Sequence, residues 1–83
     1  MEKHIDLSGF VLRSKIRKGE IRFGGNRKLK IYGKLHCASG KRIKRENRVF
    51  FVSETEALEH NYRPCGHCMK EEYDFWKKKK SLN

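Results

Sequence analysis

Tyr62-Arg63-Pro64-Cys65-Gly66-His67-Cys68 is the stretch from which the rest of the chain is read. Two cysteines two residues apart follow a proline that stiffens their approach. This spacing reads as a zinc knuckle, in which both sulfurs reach one ion and the intervening backbone N–H groups point at them. A knuckle is half a site. The only other cysteine is Cys37, so the chain offers three thiols. For a fourth ligand the candidates are His36 and His67, with His60 more distant. His36 adjoins Cys37, which strains joint ligation, and His67 sits inside the knuckle. A water in the fourth position would make a site of the open type.

The composition sets the scale. Eighty-three residues read as one domain, residues 1–83, near the lower limit for a self-sufficient core. Only 36% of the residues are hydrophobic, and a domain this lean gains most from a staple such as a metal. An odd number of cysteines argues against a closed disulfide framework. No signal peptide, lipidation motif or apolar run of membrane length is present, so a cytoplasmic setting and no membrane partner are expected. A monomer is expected as well. The formal net charge is +11, from 21 Lys and Arg against 10 Asp and Glu. Such an excess attracts polyanions by counterion release, without regard to base sequence.

Local patterns place these residues on an α+β framework: a small antiparallel sheet, made of a hairpin plus a third strand, with two or three helices. Residues 1–6 read as a loose terminus. Leu7 to Lys18 reads as a short helix, with Leu7, Phe10, Val11 and Ser14 on one stripe and Gly19 ending it. Glu20 to Phe23 and Lys28 to Lys34 read as a hairpin turning at Gly24-Gly25-Asn26, with Leu29 and Ile31 on one face and Gly33 ending or bending the second arm. Arg48 to Val52 forms a third strand. Ser53 opens a helix with a capping box to Glu56, ending near Asn61. A final helix from about His67 to Lys78 carries Met69, Tyr73 and Trp76 as core residues.

Between Cys37 and the third strand lies the densest basic run. Lys41, Arg42, Lys44 and Arg45 project outward there if Ile43 anchors the loop, as a phosphate-contacting loop requires. Arg63 joins them at the knuckle approach. Catalytic constellations are thin: no Ser/His/Asp arrangement, acid pair or phosphate cradle stands out. A reactive thiolate at Cys37 among Lys34, Lys41 and Arg42 is the one candidate nucleophile.

Several of these features together resemble the metal-binding domain of the Ada DNA-repair protein. They are a tyrosine near the first thiol region, Arg45-Glu46-Asn47 followed by Phe50-Phe51, the Ser-x-x-Glu-Ala-Leu segment from Ser53 to Leu58, and Tyr62-Arg63-Pro64-Cys65-x-x-Cys68. The resemblance runs from about residue 30 to residue 68. It implies a small α+β zinc domain in which four thiolates, from Cys-x-x-x-Cys and Cys-x-x-Cys, hold the metal. The first of them accepts a methyl group from a DNA phosphotriester. Cys65 and Cys68 match the second pair, and Cys37 matches the second cysteine of the first, with a one-residue shift in the following loop. The methyl-accepting position falls on Gly33, which has no side chain.

Three readings follow. The first is a non-enzymatic module that binds DNA with weak sequence preference, with zinc or without it. The second is a thiol-based alkyl acceptor using Cys37 on an open metal site. The third is a metal-free structural or protein-interaction domain in which the thiols are core residues. Metal content separates the third from the others, and methyl transfer separates the second from the first.

Overall fold

The computed structural model describes residues 1–37 and 42–81. Among them, five strands form one mixed sheet: β1 (Glu2–Lys3), β2 (Phe23–Asn26), β3 (Ile31–Lys34), β4 (Arg48–Phe51) and β5 (Arg63–Pro64). Their order across the sheet is β1-β4-β2-β3-β5. The first three pairings in that order are antiparallel, and β5 runs parallel to β3. Three α-helices accompany it: α1 (Gly9–Arg17), α2 (Glu54–Glu59) and α3 (Lys70–Ser81). The α+β class read from the sequence therefore stands. The sheet gains two short edge strands that no periodicity of two or three residues can announce.

One edge strand corrects the N-terminal reading. Residues 1–6 are not loose: Glu2 and Lys3 pair with Phe50 and Val49, and a 3₁₀ turn follows at His4–Asp6. Arg45 secures that segment from across the chain. Its Nη2 donates to the Leu7 carbonyl at 2.7 Å and its Nε to the His4 carbonyl at 3.4 Å.

The hairpin exists but its turn begins three residues later than the glycines suggest. Gly24, Gly25 and Asn26 lie inside β2, and the turn is residues 27–30, with Lys30 at φ 57°. Asn26 starts it: its Oδ1 accepts from the N–H groups of Lys28 at 2.9 Å and Leu29 at 3.2 Å, an Asx arrangement that needs no glycine. Leu29 consequently sits in the turn, 64% exposed, and does not share a strand face with Ile31. Gly25 is in the strand because its neighbours leave it no volume. A methyl group there would come within 3.0 Å of both the Ile31 carbonyl oxygen and Phe51 Cε2. Gly33 likewise does not end β3; it lies within the strand, paired with Gly24.

The two faces of the sheet differ. On one, Tyr32, Val49 and Phe51 pack with Ala57 of α2, Tyr62 and Met69 into the main core. Its aromatic rings meet edge to face, Phe51 on Tyr62 at 4.9 Å and Phe23 on Tyr32 at 5.9 Å. On the other, Phe50 packs with Leu7 and Ile21 in a thinner cluster. Leu12 is the residue that α1 turns toward this cluster, whereas Phe10 is 77% exposed. The stripe read through Phe10 and Val11 is thus the outer side of α1, whose Ser8 caps it by accepting from the Val11 N–H. For α2 the capping serine is Ser53, which accepts from the Glu56 N–H at 3.1 Å, while Glu56 reaches one residue further back, to the Val52 N–H. Of the three residues expected to pack along the final helix, only Met69 enters the core. Tyr73 and Trp76 are half-buried and stack on each other at 6.0 Å. No helix among the described residues is long and apolar enough to cross a membrane.

Candidate metal centre

The fold brings the three cysteines together from distant parts of the chain. Cys37 follows β3, where its N–H donates to the Lys34 carbonyl at 3.1 Å. Cys65 follows β5, where its N–H donates to the Tyr32 carbonyl at 2.7 Å and so continues the parallel pairing. Cys68 lies just before α3. The sulfurs of Cys37, Cys65 and Cys68 all lie within 4.8 Å of one another, and none of the three is in a disulfide. Tetrahedral zinc holds thiolates at about 2.3 Å, which places sulfurs roughly 4 Å apart, so the cluster is compatible with that ion.

One intervening backbone amide addresses a sulfur as the knuckle spacing leads one to expect, and a second amide comes from β3. The His67 N–H donates to Cys65 Sγ at 3.4 Å, and the Lys34 N–H donates to Cys68 Sγ at 3.3 Å. Such donors stabilise thiolate, the form that a metal takes. Burial works the other way. It pushes the Cys68 thiol up to about 11, a rise opposed by the Lys34 N–H and reinforced by the neighbouring Cys37 and Cys65. Without a cation Cys68 therefore keeps its proton, and a metal must displace it.

Neither histidine joins the cluster. His36 and His67 are exposed, and the group of mutually close donors among the described residues contains only the three sulfurs. What stands beside the sulfurs is Gly33. A Cβ built on it would lie 2.7 Å from Cys68 Sγ, 3.1 Å from Cys65 Cβ and 4.0 Å from Cys65 Sγ. The position that the resemblance assigns to the first thiolate is therefore next to the cluster, and it is empty of side chain.

The basic residues do not form one patch of equivalent groups. Lys41 lies outside the described residues. Arg42 and Lys44 are exposed. Arg45 is committed to the carbonyls of Leu7 and His4, as described above. Arg63 donates to the Pro64 carbonyl at 3.1 Å and lies 5.0 Å from the centre of the Tyr73 ring. Sequence reasoning missed Arg48, treated there only as the start of a strand. Its side chain lies over Gly24 and lines a cavity of about 250 Å³ that Gly33, Cys37 and Cys65 also line. Reading Gly24 as strand instead of turn would have exposed it, since a glycine diagonal to Arg48 across the β2–β4 ladder leaves the arginine side chain room to lie flat.

No curated protein and no solved structure matches the chain. The family model described as the metal binding domain of Ada matches residues 13–71, beginning earlier than the motifs alone indicate and taking in the C-terminal half of α1 and the hairpin. With most of its length covered by that model, the chain belongs to the Ada metal-binding domain family.

Proposed function

We propose that this chain is a zinc-binding module that contacts DNA through its basic surface and does not transfer alkyl groups. The observation that carries the metal reading is the convergence of Cys37, Cys65 and Cys68 within 4.8 Å, in a family of metal-binding domains. These three would hold zinc as thiolates. The ion would supply a cross-link between the end of β3 and the start of α3, a structural role. Three thiolates on a divalent cation leave one negative charge, which nearby Lys34 and Arg63 offset.

The DNA reading rests on charge. A net +11 on 83 residues is a large excess, and Arg42 and Lys44 are exposed beside the metal loop. Binding should weaken steeply with salt, each neutralised phosphate contributing about −0.9 to the log–log slope. The double variant Arg42→Gln, Lys44→Gln should flatten that slope by roughly 2, which fluorescence anisotropy on a labelled duplex measures. Arg45 is left intact in this test because it also holds the N-terminal segment. An unchanged slope would place the surface elsewhere, and no binding at low salt would end the DNA reading.

Alkyl acceptance has no support at either candidate position. Gly33 has no nucleophile. Cys37 is only 7% exposed, so a DNA phosphotriester has little access to its sulfur. Incubation with methylated DNA should leave the intact mass unchanged. A gain of one methylene, mapped to Cys37, would show that the remaining thiol has taken over the reaction.

A further inference from the structure

The cavity beside the thiols is lined by a charged side chain that finds little protein partnership among the described residues. Arg48 Nε is buried and has no hydrogen-bond partner among the described residues. No carboxylate among them pairs with this guanidinium, which lies 5.2 Å from the centre of the Phe50 ring. A half-buried cation left so is costly unless an anion enters. Its field is felt nearby. His4 is held below its ordinary value by burial first, then by Arg48 and Arg45.

The same cavity leads to the metal cluster. Gly24 and Gly33 face each other directly across β2 and β3, so their side-chain directions lie about 5 Å apart on one face of the sheet. Beyond Gly33 are the sulfurs of Cys68 and Cys65. Beyond Gly24 are Arg48 Nε and Nη2, each 3.8 Å from where a Cβ would sit. Two paired glycines thus separate a three-sulfur cluster from a guanidinium whose Nε has no protein partner among the described residues. Leu29, Ile31 and Ile43 line the space between them with apolar surface.

We infer that this cavity binds a small thiol bearing a carboxylate, whose sulfur completes the metal's ligand set beside Gly33 and whose carboxylate pairs with Arg48. The inference rests on the zinc reading above and adds the fourth ligand, supplied from outside the chain. The incoming thiol releases its proton to solvent as its sulfur joins the metal, and no redox step is involved. A short methylene chain spans the apolar stretch between the two ends. Water offers the metal a ligand but offers Arg48 no negative charge, and a plain carboxylate offers Arg48 a partner but no soft donor.

The test uses the full chain loaded with cobalt(II) in place of zinc. Before any addition, thiolate-to-cobalt charge-transfer absorption in the near ultraviolet reports the three cysteines. Its absence would overturn the zinc reading and this inference with it. With that absorption present, titration with 3-mercaptopropionate should raise it by roughly one third, as three thiolates become four. Propionate should not raise it, and 2-mercaptoethanol should bind about tenfold or more weakly. In Arg48→Met, which removes the charge and keeps much of the volume, the affinity for 3-mercaptopropionate should fall to that for 2-mercaptoethanol, with the starting spectrum unchanged. A starting absorption that 3-mercaptopropionate leaves unaltered would overturn the inference while the zinc reading stands. Equal affinities in the native chain and Arg48→Met would overturn the role given to Arg48.

Discussion

Stripping the metal with a strong chelator should unfold this chain. The three sulfurs belong to segments that meet only in the folded state, Cys37 after β3 and the Cys65/Cys68 pair between β5 and α3. A structural zinc site contributes about 10 kcal/mol or more in small domains, whereas the whole net stability of a folded domain is about 5–15 kcal/mol. With 36% hydrophobic residues, and one face of the sheet covered by only a thin cluster, the apolar core has little reserve. The expected result is loss of the cooperative melting transition and collapse of amide dispersion in the NMR spectrum, both restored by adding zinc. An unchanged spectrum and melting temperature after chelation would establish a fold held by its apolar core alone.

Phe51→Ala should be the most damaging single truncation in the core. Phe51 is 1% exposed and sits at the crossing of β4 with the residues that follow α2. Its ring meets Tyr62 at 4.9 Å and Tyr32 at 6.5 Å, both edge to face, and its edge occupies the space over Gly25. Buried phenylalanine truncations cost about 3–5 kcal/mol, and the rings around this one cannot all close the gap. Phe10→Ala is the internal control, because a side chain 77% exposed should change stability by about 0.5 kcal/mol or less. Urea unfolding of the zinc-loaded proteins measures both. A Phe51→Ala variant within about 1 kcal/mol of the native chain would contradict the placement of the core.

The elements legible in the sequence are those announced by local chemistry. Ser53 and Glu56 mark the start of α2 by a cap made within four residues. Val49, Phe50 and Phe51 mark β4 by a run of residues that pack well on a sheet. The Cys65/Cys68 spacing marks the knuckle, and the structure brings the Cys37 sulfur within 4.8 Å of both. What was not legible depended on long-range contact. β1 and β5 are two residues each and exist only because β4 and β3 offer free edges. Gly24-Gly25 imitates a hairpin turn, yet tertiary crowding by Phe51 and Val49 demands a glycine at 25. The turn itself is set by Asn26, whose side chain carries the local signal that two glycines obscured. Along α1, Phe10 and Leu12 both offer an apolar face, and only the position of Phe50 and Leu7 decides for Leu12. Gly33 was legible by position in the family pattern. Its pairing with Gly24, and through it the approach to Arg48, required the register of the sheet.

The central claim is that Cys37, Cys65 and Cys68 hold one zinc ion. Native mass spectrometry of the untagged chain, purified without added metal or chelator, tests it most directly. The expected spectrum of the folded protein shows the chain plus one zinc, and the Cys65→Ser, Cys68→Ser variant shows no zinc. A compact, folded native chain at its metal-free mass, with a melting temperature that zinc does not raise, would contradict the claim.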